Sequence, residues 1–244
     1  VKDILRVCFF QIRETCRQPL YVVTTLLFPS MFFLFFGVPN ATDERGALIL
    51  ISSFSCFAVL GVVLFQFGVS FAQDRASGWM LHLRTLPTSP HTLWIAKLLT
   101  GLFFAVLASL GVMLTAYVSV DFPFPPERLL TFYVSVWGGG LLFASLGIII
   151  GLLCSPRAAV PASNLVYLPL SFAGGLWLPP DALPQMVQRI SEWLPTRHYG
   201  EVVWAAALNE PLETRWWLGL VVYQVIFFVI AAILMKRDEG LRFG

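Results

Sequence analysis

The sequence predicts an all-α, polytopic membrane protein with six transmembrane helices. Two observations carry that expectation. Hydrophobic residues fill 57% of the 244 positions and charged residues only 12%, with a mean hydropathy of +0.77. A soluble domain carries about 25% charge, and half of that is too little to cover a water-facing surface. The apolar residues are also gathered into runs close to the ~20 residues that a helix needs to cross a bilayer, with short polar stretches between them.

Residues 1–18 come first. At about 100° per residue, Ile4, Leu5, Cys8, Phe9, Ile12 and Cys16 fall within an arc of about 140°, with Lys2, Arg6, Arg13 and Arg17 beside it. An interfacial amphipathic helix is expected, its basic stripe near anionic headgroups. It serves either as a simple anchor or as an elbow that also touches a partner. No A-x-A site follows the first apolar run, so that run reads as a retained anchor and not a cleaved signal.

Five spans follow from length and apolarity, at 19–38, 47–72, 98–120, 129–154 and 216–235. A sixth, 158–179, is interrupted by Pro161, Pro169 and Gly174-Gly175. Such breakers are tolerated where neighbours satisfy the freed backbone groups. No Asp, Glu, Lys or Arg falls near the middle of any span, and Lys97 stands at one end of the third.

Two inter-span segments carry helical patterns of their own. In 74–86, Ala76, Trp79, Met80, Leu83 and Leu86 share one face, and Arg75, Gly78, His82 and Thr85 the other. Pro87 ends that helix and Ser89-Pro90 opens the next. A short amphipathic helix here either lies on lipid or docks into a groove on another protein. In the outer segment 180–214, Met186, Val187, Ile190, Trp193 and Leu194 repeat at helical spacing. Thr196 is the expected cap of a second stretch to Leu208. Neither is long enough to cross, so two short re-entrant helices dipping into the outer leaflet are expected.

Lys and Arg placement sets the sidedness. With six spans both termini share a side with Lys2, Arg6, Arg13, Arg17, Arg75, Arg84, Lys97, Arg157, Lys236, Arg237 and Arg242. Only Arg45, Arg128, Arg189, Arg197 and Arg215 fall on the other. Both termini are therefore expected in the cytoplasm. Asp43, Glu44, Asp121, Glu127, Asp181 and Glu192 lean the opposite way, as that orientation requires.

Motifs for catalysis are missing. There is no G-x-x-x-x-G-K-[ST] phosphate loop, no H-E-x-x-H and no G-x-S-x-G. His82, His91 and His198 read as solvated loop residues. Cys8, Cys16, Cys56 and Cys154 read as separate buried or lipid-facing thiols, without zinc-ligand spacing. The chain is expected to be no enzyme and to hold no cofactor or metal itself. A net charge of +2 names no partner and gives no reason to expect nucleic acid. Ion-coupled carriers and voltage sensors place ionisable groups inside the membrane, which this sequence does not, so energy must arrive from outside it. Ser52, Ser53, Ser55, Gln66, Asn164, Tyr167 and Ser171 are neutral polar positions within spans, interleaved with Phe54, Phe57, Phe65, Phe67 and Phe172. They suit either interhelical hydrogen bonds or a path for an amphiphilic cargo. Gly147 and Gly151 permit a close helix crossing.

Asp74, Arg75 and Gly78 form an acidic-Arg-x-x-Gly sequence, followed by Leu81, Leu83, Leu86, Pro87, Ser89 and Lys97. Later come Gly174-Gly175-Leu176-Trp177-Leu178-Pro179, Leu183-Pro184 and Leu194-Pro195-Thr196. In order and spacing, over nearly the whole chain, this pattern resembles the permease subunit of type-2 ABC exporters, which usually carry Glu at the place of Asp74. The resemblance implies that 74–86 is a coupling helix, with Trp79, Leu83 and Leu86 as anchors, Asp74, Arg75 and Arg84 as a polar rim, and Gly78 as a point of close backbone approach. It implies two cytosolic ABC ATPase subunits that bind ATP and Mg, a second permease chain (the same or a different one), and a prokaryotic cytoplasmic membrane. It further implies that spans two and five line the central path and that the dimer meets near spans one and five. Phe57, Phe65, Gln66, Asn164 and Tyr167 are then the candidate cargo contacts. Family members export drugs, lipid-linked polysaccharides, haem-related cargo or peptides. A neutral aromatic path without a large outer domain favours a drug or lipid-like amphiphile. The alternatives are a polysaccharide or glycolipid exporter, or a membrane scaffold without transport.

Overall fold

Backbone groups in lipid have no water to bind, so apolar runs of this length must satisfy their N–H and C=O groups within a helix. In the computed structural model, which describes residues 2–17, 19–77, 90–122 and 124–243, all regular structure is helical. Helix α1 covers Lys2–Cys16. Helix α2, Pro19–Phe32, continues through a π turn at Phe33–Gly37 and a 3-10 turn at Val38–Asn40. Helix α3, Glu44–Leu64, runs through a second π turn, Phe65–Val69, into α4, Ser70–Ala76. Then come α5 (Pro90–Ser119), α6 (Leu129–Leu153), α7 (Pro156–Ala173), the short α8 (Gln185–Ser191), α9 (Pro195–Leu208) and α10 (Thr214–Phe243).

Among the described residues four stretches are long and apolar enough to cross a membrane: Glu44–Ala76, Thr92–Ser119, Pro126–Leu153 and Thr214–Asp238. The other two expected spans also form helices: the first is helical without a break from Pro19 to Asn40, and α7 carries Pro161 and Pro169 inside it. Prolines remove backbone donors and kink helices, and neighbouring helices can satisfy the freed groups in a membrane.

Helix α3 is the hub. Every residue from Leu50 to Leu64 is buried, with α2, α5, α6, α7 and α9 packed around it. Helix α10 stands at the margin against α6 and α9, with Val221, Val222, Val225 and Phe228 about half or more exposed. Gly147 and Gly151 are used within the chain. A Cβ at Gly147 would come 2.9 Å from Phe67 Cβ, and one at Gly151 would come 2.8 Å from the Gly68 carbonyl, so α6 crosses the π turn of the second span backbone against backbone.

Helix α1 lies along the start of α5, where Cys8 Sγ is 3.5 Å from Thr100 Oγ1 and the Thr100 hydroxyl donates to Gln11 Oε1 at 3.1 Å. Its expected apolar arc divides. Cys8 and Ile12 are half-buried, while Leu5 and Phe9 stay exposed.

Three local expectations are corrected. Residues 74–76 continue the second span as the end of α4 and begin no separate helix. Thr196 does not cap α9; it sits in the first turn and its hydroxyl donates to the Leu170 carbonyl at 2.6 Å. His198 is no solvated loop residue. It lies in α9, half-buried, with its ring 5.1 Å from that of Trp216 and 5.7 Å from that of Tyr223 on α10.

Candidate functional site

The site begins with a helix ending. The Leu176 N–H reaches the Ser171 carbonyl at 2.9 Å and the Gly175 N–H reaches Phe172 at 3.1 Å. This paired closure is a Schellman motif. Gly175 occupies its left-handed position at φ 82°, which a side chain would strain. The turn folds the chain back over α7 and brings Trp177 beside Phe172, with ring centroids 5.9 Å apart.

Around Trp177 a set of rings meets where α2, α3 and α7 approach. Phe57 and Tyr167 stack at 4.6 Å and 13°. Phe32 stacks on Phe57 at 5.7 Å. The Trp177 ring meets Phe32 at 5.2 Å and Phe57 at 5.8 Å, both edge to face. Phe65 meets Tyr167 edge to face at 6.1 Å. Phe57 and Tyr167 are buried, whereas Phe32, Phe65 and Trp177 are half-buried and Phe36 is exposed. The group therefore opens at the face shared by the first and fifth expected spans. Gly61 makes room for it, since a Cβ there would come 2.8 Å from the Tyr167 hydroxyl.

Of the candidate cargo contacts, Phe57, Phe65 and Tyr167 come together. Asn164 is half-buried one turn before Tyr167 on the same side of α7. Gln66 does not join them. Its side chain packs beside Gly101 of α5, whose Cβ would lie 3.6 Å from Gln66 Cγ. Phe32 and Trp177 were missed by the sequence reading, although Trp177 sits in the Gly-Gly-Leu-Trp motif it noted. The Trp177 indole nitrogen is buried without a hydrogen-bond partner among the described residues.

The end of the bundle that holds the chain termini carries a polar network. Lys97 donates to Asp74 at 2.6 Å. Arg75 donates from one nitrogen to the carbonyls of Gly151 and Leu152, at 2.6 and 2.7 Å, and from the other to Asp238 at 2.6 Å. Both residues face partners in their own chain. The other expected coupling residues, Gly78, Trp79, Leu83, Arg84 and Leu86, lie outside the described residues.

At the opposite end α9 enters the bundle. Trp204 donates to Ser53 at 2.8 Å, and Ser53 lies about 13 Å along α3 from Glu44 at about 1.5 Å per residue. Asn209, at φ 56°, closes α9, and the Glu210 N–H returns to the Ala205 carbonyl at 2.9 Å. That turn sets Glu210 against Arg45, which holds both carboxylate oxygens. The Arg45 hydrogen bond keeps the Glu210 carboxyl below the usual carboxylate range.

Residues 4–208 match the family model described as ABC-2 type transporter. The chain is 26% identical over 234 residues to a Bacillus subtilis protein named transport permease YvfS, covering 94% of this chain and 96% of that one. It is 27% identical over 179 residues to the inner membrane transport permease YhhJ of Escherichia coli, covering 71% of this chain and 47% of that one. It is 32% identical over 101 residues to Nodulation protein J of Rhizobium leguminosarum bv. viciae, covering 40% and 39%. The chain belongs to the ABC-2 type transporter family, as a membrane transport component whose ATP hydrolysis lies in a partner subunit.

Proposed function

We propose that this chain is the permease of an ATP-driven exporter that moves a small amphiphile, a drug or lipid-like molecule, out of the cytoplasm. The observation that carries the reading is the ring group built on Phe57 and Tyr167, which opens at one face and contains no charged side chain. Flat aromatic faces suit an apolar or weakly polar body. The buried Trp177 donor suits a cargo acceptor, because leaving such a donor unpaired costs ~1–3 kcal/mol. Phe57, Phe65, Asn164, Tyr167 and Trp177 form the pathway in this reading.

The same reading gives the chain six spans, with α2 and α7 completing the four longer ones, and puts both termini in the cytoplasmic membrane's inner side. A second permease chain faces the ring group, and two ATPase subunits engage the segment 74–86. The Bacillus and Escherichia relatives, both named transport permeases, support the transport role.

The test uses inside-out vesicles holding the permease and its ATPase. ATP-dependent uptake of Hoechst 33342 and of an NBD-labelled phospholipid is measured for the native protein and for Tyr167→Ala, Phe57→Ala and Gln66→Ala. Uptake of at least one probe is expected, reduced severalfold by the first two changes and kept by the third. A complex that hydrolyses ATP but accumulates neither probe would sink the amphiphile assignment in favour of a polysaccharide or glycolipid cargo.

A further inference from the structure

The described residues that flank the segment 78–89 are tied down in two directions. Behind it, Lys97 of α5 reaches back to Asp74 at 2.6 Å, with its side chain only 12% exposed. Ahead of it, Arg75 joins three elements at once. It binds the last carbonyls of α6 at Gly151 and Leu152, and through Asp238 it reaches α10, 163 residues later in the chain.

These contacts are strong by type. Hydrogen bonds between charged groups are about twice as strong as neutral ones, and a cation at a helix C-terminus also meets the negative end of the helix dipole. The planar guanidinium presents its donors in a fixed fork, so one Arg can serve two carbonyls and a carboxylate where a Lys ammonium cannot hold the same geometry. The Arg75 side chain is 13% exposed and that of Asp238 23%, so water screens the pair little. Along its length α10 packs on α6 and α9, with Trp216 and Ala231 buried, and this pair adds a direct tie by which a displacement of α4 would reach its terminal end.

We infer that Asp238 is a positioning residue for coupling: through Arg75 it makes the last helix move with the segment that receives force from the ATPase. This rests on the reading of 74–86 as the coupling segment.

The experiment uses the permease assembled with its ATPase, in a background without native cysteines. Spin labels are placed at 73 and 117, or at 236 and 117. Gln73, Tyr117 and Lys236 are exposed and stand outside the network. Distances are compared between nucleotide-free and ATP-vanadate-trapped complexes. Both pairs are expected to shift in the parent protein. In Asp238→Asn the 73–117 shift is kept and the 236–117 shift falls to less than a third, and Asp238→Glu restores it. If Asp238→Asn does not assemble, Arg75→Lys decides by the same loss at 236. A 236–117 shift that persists in the variants makes the pair a mere brace and overturns the inference, as does a parent protein in which 73 moves and 236 does not. If 73 stands still in the parent complex, the coupling reading falls, and this inference falls with it.

Discussion

Tyr167 is bound twice to the same residue: its ring lies 4.6 Å above that of Phe57, and its hydroxyl donates to the Phe57 carbonyl at 3.0 Å. The second contact fixes the rotation of the first, so α3 and α7 meet with one ring pose. Tyr167→Phe keeps the stack and loses the bond. It should cost about 1 kcal/mol while the complex still assembles. Gly61→Ala pushes a methyl at the hydroxyl and should cost more, ~1–3 kcal/mol. Thermal unfolding in detergent measures both. A Gly61→Ala protein as stable as its parent would show that the two helices do not approach as described.

The crossing of α6 over the π turn makes a sharper prediction. Gly147→Leu places a branched side chain where Phe67 Cβ and the Gly68 nitrogen already lie within 2.9 and 3.2 Å of a Cβ. Backbone cannot yield there as a side-chain tip can. Loss of monodisperse protein on size exclusion is expected for Gly147→Leu. Gly138→Leu, where a Cβ meets nothing within 4 Å, should elute as the parent does.

Much of this fold was legible because lipid enforces a simple rule: an apolar run of sufficient length becomes a helix. The limits near 47–72, 98–120 and 129–154 could be read that way. The two π turns could not, since Phe65–Val69 is as apolar as the turns beside it and differs only in its hydrogen-bond register. Of the site, Phe57, Phe65 and Tyr167 were readable as aromatic and polar positions on two spans. Gln66 packs beside Gly101 of α5 and apart from the ring group; a π turn widens the helix and alters which direction each residue faces, which apolar patterning does not reveal. Arg75 read as part of a polar rim for a partner, because the sequence does not show what its own chain brings to it. Only the fold brings the α6 carbonyls and Asp238 to it. The depth of α9 had a signal, the i, i+4, i+5, i+8 pattern of Tyr199, Val203, Trp204 and Ala207, which are all buried.

Arg45 and Glu210 should give a pH signature. The Glu210 carboxyl titrates below its ordinary value of 4.5 when folded, because Arg45 hydrogen-bonds it. A lowered folded pKa means that the pair stabilises the protein above the unfolded pKa and loses that contribution as pH falls through the folded one. Both groups are largely exposed, so the effect is small. The unfolding midpoint of the parent should exceed that of Glu210→Gln near neutral pH, and the gap should close as pH falls below 4.5. A gap that is constant with pH would mean that the pair does not form.

Sidedness is open to direct labelling. Asp43, Glu127 and Glu192 are all exposed at the end away from the termini, and the basic residues cluster at the other end. Single cysteines at 43, 127 and 192, in a background without native cysteines, should react with a membrane-impermeant maleimide in intact cells. Protection at two of the three would reverse the orientation.

The segment 74–86 should carry the ATPase contact. The chain holds no phosphate-binding loop motif, so a change driven by ATP must enter through a surface that binds the hydrolysing subunit differently in its two states. Trp79, Leu83 and Leu86 repeat on one face of the sequence pattern as anchors for a groove, with Asp74, Arg75 and Arg84 as polar positions around them. Asp74 and Arg75 already hold α5, α6 and α10, so a push on the anchors would reach three helices without passing through lipid. Leu83→Asp buries a charge in that groove, and Gly78→Trp blocks close approach of a second backbone. Each should reduce co-purification of the ATPase at least severalfold, or leave it bound but hydrolysing without export, while the permease still inserts in the membrane. If the segment lay on lipid instead, Leu83→Asp would loosen it from the headgroups and leave ATPase capture and coupling at parental levels, which would remove 74–86 as the point of energy entry.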